Sequence, residues 1–289
     1  MEKPTVISTF AGGGGSSLGY KLAGYEELLA IDFDQNAMKT FHLNFPEVAI
    51  WQRDITSITG QEILDFCGIK QGDLDVLDGS PPCQGFSLSG RRDVSDERNS
   101  LYMAYLRLIK ELQPKVFIME NVSGMVQGIM KGMFLEITRS LLETGYAVKC
   151  KKMNAALHGV PQARERLIWI GIRNDLRKVP TYPEPLDSIL SVQDVLPHLQ
   201  AFTAGQFDRK IISADNPCCT ITKSPSMRVY ENGTEREPTL DELKKLCSYP
   251  DDFQFVGSKH QAWQRMGNSV PPKLMERIAS HVRKEILEK

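Results

Sequence analysis

The sequence predicts an α/β protein built on a doubly wound, mostly parallel sheet, followed by a small irregular domain. Three observations carry this reading. Short β-rich apolar runs alternate with helix-like stretches through the first 173 residues, a glycine-rich turn directly follows the first run, and the alternation stops after Arg173. At 289 residues with 41% hydrophobic composition, the chain has room for one large α/β domain and a smaller appendage around a substantial core.

The candidate strands are TVIST, LLAID, DVLDG, KVFIMEN, YAVKCKKM and RLIWIGI. Between them, Asp34 can cap a helix running through Asn44, and Leu101, Tyr105, Leu108 and Leu112 keep helical spacing on one face. Parallel strands joined by such helices place helices on both sides of the sheet. Beyond Arg173 the chain becomes rich in proline, serine and polar residues, as in VPTYPEPLDS and NPCCTITKSPS. Regular signals return at TLDELKKLCSYP, where Thr239 and Glu242 have capping-box spacing. In the last segment Leu274, Ile278, Val282 and Ile286 share one helical face, which predicts a helix packed back on the large domain. The domains expected are 1–172, 173–236 and a returning segment, 237–289.

The formal net charge of -1 excludes the strong basic bias of a protein that coats nucleic acid. Locally, Lys149, Lys151, Lys152, Arg164, Arg166, Arg173, Arg177 and Lys178 outnumber Glu165 and Asp175, which charge alone reads as a solvated face. The cysteines are scattered, with no C-x-x-C spacing for zinc, so no metal is expected and a reducing compartment is the simpler inference. With no apolar h-region at the N-terminus and no apolar run near the ~20 residues of a bilayer span, the expectation is a soluble, cytoplasmic protein.

FAGGGGSSLGY, from Phe10 to Tyr20, lets backbone approach a ligand while the following helix offers free N–H groups, so a nucleotide-like guest fits. It matches neither the dinucleotide fingerprint nor a P-loop, and a glycine-rich turn can also be purely structural. Asp32 ends the second strand, where a carboxylate can accept hydrogen bonds from ribose hydroxyls. Phe33 could cover an adenine ring and Asp54 could take its amino group, although either acid also suits a loop or cap. Cys83 follows two prolines at the end of DVLD, a place where a thiol can act as a nucleophile. Glu120 in MENV ends another strand, and Arg164 and Arg166 in QARER are spaced to point to one face. An ion pair of Glu120 with Arg166 serves equally as a structural feature.

These elements, in order FAGGGGSSLGY, IDFD, RDI, GSPPCQGFS, MENV, QARER, TLDELKKLCSYPDDF and RMGNSVPP, resemble the DNA (cytosine-C5) methyltransferases nearly end to end. The resemblance implies the class I S-adenosylmethionine-dependent methyltransferase fold and a target recognition domain in the variable stretch. It implies that Cys83 adds to cytosine C6, that Glu120 engages N3, that Arg166 binds O2 and holds Glu120, and that Arg164 supports the same site. Cofactor contacts to S-adenosylmethionine carry over onto Phe10, Gly12, Gly14, Asp32, Phe33, Asp54, Ile55, Pro82, Leu101, Asn268 and Ser269. Gln84, Ser87, Ser89, Arg91 and Thr220 are the implied contacts to double-stranded DNA, whose target base must be flipped out of the stack. A restriction endonuclease acting separately is the further partner this implies, for a monomeric enzyme. The chain departs from the family pattern at Ser8, where an acid is common, and at Asp32, where glutamate is common. Its recognition region is short, which suggests a short target site. A transfer-RNA cytosine methyltransferase and a catalytically silent DNA-binding homologue are the alternatives.

Overall fold

Alternation of side chains along each strand sorts the apolar residues of the central sheet onto two faces, and helices cover both. The computed structural model describes residues 2–82, 97–126, 128–204 and 210–288. Its main sheet is formed by β1 (Thr5–Thr9), β2 (Glu26–Asp32), β3 (Ala49–Gln52), β4 (Val76–Gly79), β5 (Val116–Val122), β6 (Tyr146–Asn154) and β8 (Glu165–Arg173), with β7 (Gln162–Ala163) just before β8. The strand order is β3-β2-β1-β4-β5-β8-β6. The first five strands in this order are mutually parallel, and β8 and β6 add antiparallel pairs at one side. The six strand runs read from the sequence all lie in this sheet.

On one face Ile7, Leu77, Phe117, Met119, Leu167 and Trp169 pack under α3 (Gly60–Cys67), α4 (Glu97–Leu112) and α5 (Lys131–Leu142). On the other, Val6, Val76, Ile118, Ile168 and Ile170 pack against α1 (Gly15–Leu22) and α9 (Pro272–Val282). The terminal face expected from spacing holds: Leu274, Ile278, Val282 and Ile286 are all buried. The approach of α9 to α1 is close, because a Cβ at Gly19 would lie 2.5 Å from the Met275 Cβ. Asp34 caps α2 (Gln35–Asn44) as its spacing predicts, accepting from the Ala37 amide at 2.9 Å.

Between residues 201 and 236 the proline-rich sequence nonetheless holds an antiparallel sheet. Its strands β9 (Ala201–Ala204), β10 (Lys210–Ser213), β12 (Val229–Glu231) and β13 (Thr234–Arg236) run in the order β10-β9-β12-β13. Strands of three or four residues are too short to show a period in the sequence. A two-residue strand, β11 (Cys218–Cys219), pairs in parallel with β7 and so joins this lobe to the end of the main sheet. The helices α6 (Val192–Val195), α7 (Leu240–Leu246) and α8 (Lys259–Asn268) share its apolar cluster, in which Phe202, Val229, Leu243 and Trp263 meet Phe41 and Phe45 of the α2 region.

The basic segment does not form one solvated face. Arg164 is buried, Arg166 pairs with Glu120, Lys152 with Glu165, and Arg173 with Asp175, while Lys178 donates to the Ile286 carbonyl. A linked group of charges instead fixes the small sheet to the returning segment. Arg236 of β13 donates to Glu231 at 2.8 Å and to Glu242 of α7 at 2.6 Å, and His198 Nε2 lies 2.7 Å from Glu242. Burial opposes ionisation of Glu242, but hydrogen bonds from Arg236 and His198 outweigh it and hold the carboxyl down at about 2. A carboxyl depressed on folding stabilises fully above its usual 4.5 and loses that contribution as pH falls toward 2. Urea unfolding of wild type and Glu242→Gln is therefore expected to show a stability gap that is wide at pH 6 and narrows as pH drops below 4.5. A gap independent of pH would show that the ionised carboxylate contributes nothing.

Candidate active site

Because β1, β2, β4 and β5 run parallel, their carboxyl ends reach one edge of the sheet, and the loops that follow them enclose a cleft of about 550 Å³. Phe10 to Gly13, Gly15 and Ser16 contribute the wall after β1, Asp32 to Asp34 the wall after β2, Ser80 to Pro82 the wall after β4, and Glu120 to Val122 the end of β5. The chain returns from its far end with Arg265 and Asn268 to Val270, and Lys223 reaches in from the small lobe.

The wall after β1 is held by Asp32. The amide of Gly12 donates to Oδ2 at 2.8 Å and that of Asp34 to Oδ1 at 2.9 Å. Burial raises the Asp32 carboxyl pKa while these amides oppose the rise. Phe10 adopts φ +55°, a left-handed conformation that a bulky residue keeps only where the surroundings enforce it. Gly14, which begins α1 with φ +91°, is turned away from the cleft: a Cβ there would sit 2.5 Å from the Phe45 ring. Its glycine is required for packing. Phe33 is 69% exposed at the cleft rim, an aromatic face available for stacking.

Glu120 lies on the floor with Arg166 behind it, Nε to Oε1 at 2.6 Å, both side chains about nine-tenths buried. The contact is an ion pair without the alignment of a hydrogen bond, since Arg166 Nε has no hydrogen-bond partner. Arg166 Nη1 donates to the Glu165 carbonyl at 2.7 Å, which fixes the guanidinium. Asn121 turns its side chain to the neighbouring wall, where Nδ2 donates to the Pro81 carbonyl at 2.9 Å and Oδ1 accepts from the Val122 amide. The end of β5 thereby sets the position of the Pro81-Pro82 wall.

The structure separates several residues that the sequence grouped. Phe10, Gly12, Asp32, Phe33, Pro82, Glu120, Asn268 and Ser269 line the cleft. Arg164 does not line it: the side chain is 1% exposed and donates to the carbonyls of Ile221 and Gly267, each at 2.9 Å, so it clamps the small lobe to α8. Asp54 also lies outside the lining, because its carboxylate accepts from the Thr56 amide and hydroxyl at 2.8 Å as the cap of a short turn. Ile55 belongs to the core under α3 and α4, and half-buried Leu101 of α4 packs against that core. Thr220 donates its hydroxyl to the Ala163 carbonyl at 2.9 Å, which commits its donor to holding the small lobe on β7. Cys83, Gln84, Ser87, Ser89 and Arg91 lie outside the described residues.

Lys223, Arg265 and Asn121 line the cleft without having been singled out in the sequence. Arg265 lies within the RMGNSVPP stretch, and its charge meets Asp34 at 2.5 Å, a pairing 231 residues apart that no local pattern contains. Lys223 stands three residues beyond Thr220, exposed, at the junction of the two lobes. Its place is secured by Trp263, which donates to the Thr222 carbonyl at 2.9 Å, and by Gly267, where a Cβ would collide with Thr222 backbone.

Comparison with known proteins accounts for this arrangement. A family model described as C-5 cytosine-specific DNA methylase matches residues 4–216 and 200–284. The Type II methyltransferase M1.HphI of Haemophilus parahaemolyticus is 34% identical over 327 residues, an alignment spanning 97% of this chain and 87% of the relative. The Type II methyltransferase M.DdeI of Desulfomicrobium norvegicum is 36% identical, over 96% of this chain and 88% of its own. Among solved structures, a protein encoded within an E. coli prophage and described as a DNA modification methyltransferase superposes with a TM-score of 0.79 at 26% identity, covering 97% of this chain and 98% of that one. The chain belongs to the C-5 cytosine-specific DNA methylase family.

Proposed function

We propose that this protein transfers a methyl group from S-adenosylmethionine to C5 of a cytosine flipped out of a short duplex DNA sequence, through a covalent adduct of Cys83 at C6. The observation that carries the reading is the pairing of Glu120 with Arg166 on the floor of a cleft whose adjoining wall, Ser80 to Pro82, runs directly into Cys83. The residues present fit the cofactor. The cleft has the size of a small-molecule site, with an exposed aromatic face at Phe33, a strand-end carboxylate at Asp32, and glycine needed at residue 12 for its φ of +55° and at residue 15, where a Cβ would lie 2.7 Å from the Val270 carbonyl. Bound there, S-adenosylmethionine supplies an electrophilic methyl group.

The chain's own residues prepare the base to accept it. Cytosine C5 is a weak nucleophile, and addition of the Cys83 thiolate to C6 breaks the C5–C6 double bond and moves its electron pair toward N3 and O2. Glu120 as the acid offsets that charge by donating a hydrogen bond or its proton to N3, and Arg166 holds Glu120 and faces O2. The charge returns through C5, which takes the methyl group. A base such as water then takes the C5 proton, the C–H electron pair reforms the C5–C6 double bond, and the C6–S bond breaks to release Cys83 as the thiolate. Of the DNA contacts expected, Thr220 already uses its donor internally, which leaves exposed Lys223 as the better-placed cation for a phosphate near the cleft. A cognate restriction endonuclease would act separately on the same sequence. No helix among the described residues is long and apolar enough to cross a membrane.

Duplex DNA carrying 5-fluorocytosine is expected to trap wild-type protein as a stable adduct, because the C5 fluorine cannot leave as a proton, and Cys83→Ala should form none. Labelling of transfer RNA but of no duplex DNA would sink the reading in favour of the RNA substrate. Tight DNA binding without trapping would favour the silent homologue. Bisulfite sequencing of plasmid from a methylation-free host expressing the chain should mark cytosines in one short context.

Glu120→Gln is expected to lower the single-turnover methylation rate by about 10²- to 10⁴-fold, the usual range for a lost acid-base group. Asn121→Ala removes the Nδ2 bond to the Pro81 carbonyl and should cost about 10²-fold in the same assay through misplacement of the Pro81-Pro82 wall, with cofactor affinity retained. Equal rates for wild type and either variant would remove that residue from the mechanism.

A further inference from the structure

The turn from β2 into α2 is pinned from both sides. Phe33 is 69% exposed, so packing does not hold its ring, and its place at the cleft rim is set by the backbone of residues 32–34. That backbone is tied to the loop after β1, because the Asp34 amide donates to Asp32 Oδ1 at 2.9 Å and the Gly12 amide to Oδ2 at 2.8 Å. The Asp34 carboxylate ties it in two further directions. Oδ1 accepts from the Ala37 amide at 2.9 Å as the cap of α2, and Oδ2 accepts from Arg265 Nη2 of α8 at 2.5 Å.

Arg265 is itself fixed. Its Nε donates to Asn36 Oδ1 at 3.3 Å, and Asn36 Nδ2 donates to the Val256 carbonyl at 3.2 Å. Its stem passes beside the loop after β1, where a Cβ added at Gly13 would lie 3.7 Å from the Arg265 Cβ. The side chains of Arg265 and Asp34 are 17% and 31% exposed, so solvent screens this pair less than one on the open surface. The other ties between the returning segment and α2 lie further along the helix, where the Val256 amide donates to Thr40 and the Gln254 amide to Asn44. Among the described residues, Arg265 supplies the side chain that joins the returning segment to the turn itself.

We propose that Arg265 is a positioning residue for the nucleoside half of the cofactor: by holding Asp34 it fixes the turn from which Asp32 meets the ribose hydroxyls and Phe33 the adenine ring. This rests on the cofactor reading given above. Without the ion pair Asp34 still caps α2, but the turn loses its tie to α8 and samples shapes in which Asp32 and Phe33 no longer face one guest. A ligand then binds only the fraction of molecules whose turn is in place, and its apparent Kd rises by the inverse of that fraction. Asp34→Asn separates the two tasks of the carboxylate, since asparagine caps a helix as well as aspartate does but brings no charge to Arg265.

The test is the Kd of 5′-methylthioadenosine, a neutral probe that carries the nucleoside half, beside that of S-adenosylmethionine, by calorimetry at neutral pH for wild type, Arg265→Gln, Asp34→Asn and the double variant. If the released turn keeps its bound shape about a tenth of the time, each single variant weakens both ligands about tenfold, and the double variant binds no worse than either. The field of the two charges alone would act in opposite senses on the cationic cofactor in the two single variants and would leave the neutral probe unmoved. A methylthioadenosine Kd equal to wild type in the single variants therefore overturns the proposal, and so do losses that multiply to about a hundredfold in the double variant. If Arg265→Gln fails to fold, Asp34→Asn against wild type carries the same test with the helix cap retained. Methylation of duplex DNA is measured on the same samples. Weakened probe binding in the variants beside a wild type that methylates no substrate sinks the function and leaves Arg265 in its role. Active wild type whose variants bind the probe equally well sinks only the role of Arg265, and a wild type that binds neither ligand sinks both.

Discussion

Parallel pairing of β1 with β4 and of β4 with β5 is the constraint on which the site depends. Parallel neighbours end at the same edge, so the loops at Phe10, Ser80 and Glu120 converge although more than a hundred residues separate the first from the last. The fixed register then decides which side chains meet. Val122 opposes Arg166 on antiparallel β8, so Arg166 stands on the same face as Glu120 and the two can touch. A slip of one residue in β8 would send Arg166 to the opposite face and leave Glu120 without its cation.

The second requirement is a rigid junction between the sheet edge and the small lobe, and buried Arg164 supplies it. Its guanidinium spans the Ile221 and Gly267 carbonyls, joining the small lobe to α8 across the end of β7. Burial drives the Arg164 pKa down to about 10, helped by Arg166 and opposed by Glu120, so the side chain remains charged at neutral pH and both acceptors keep a charged donor. A single clamp thus fixes Lys223 and the Asn268 to Val270 loop against the same cleft. Lysine at position 164 would not reproduce it, because a single nitrogen lacks the two separated, rigidly spaced Nη donors that reach the Ile221 and Gly267 carbonyls.

The fold was legible wherever one local rule decided the structure. Asp34 as a cap, Thr239 with Glu242 as a capping box, and the apolar face from Leu274 to Ile286 all follow from spacing along one element. The site was legible where a side chain stands at a strand end, as with Asp32 and Glu120. It was not legible where a side chain chose between two nearby partners. Asp54 bonds Thr56 instead of facing the cleft, and Thr220 gives its hydrogen to Ala163, both outcomes of local geometry that composition cannot rank. Arg164 and Arg166 have the same type and adjacent places in QARER, yet one is a clamp and the other a cleft-side partner, because only the tertiary position of Gly267 and Glu120 distinguishes them.

Asp78 and Glu27, neither of them in the cleft lining, are buried acids whose ionisation opposes folding. Both are acids raised by burial, to about 8 and about 7, from ordinary values near 4. An acid raised on folding binds its proton more tightly in the native state, so stability falls as pH rises from about 4 toward those values. Glu242 acts in the opposite sense, adding stability as pH rises from about 2 to 4.5. The small lobe is therefore held best where Glu242 is ionised, and the buried sheet face beside α1 is most stable where Asp78 and Glu27 are not. Neutral pH lies on the ionised side for Glu242 and on the protonated side for Asp78, which lets a charged clamp and an uncharged acid coexist in one chain. The apolar part of the same sheet face, from Val6 to Ile170, offsets the cost, because it is buried whatever the pH.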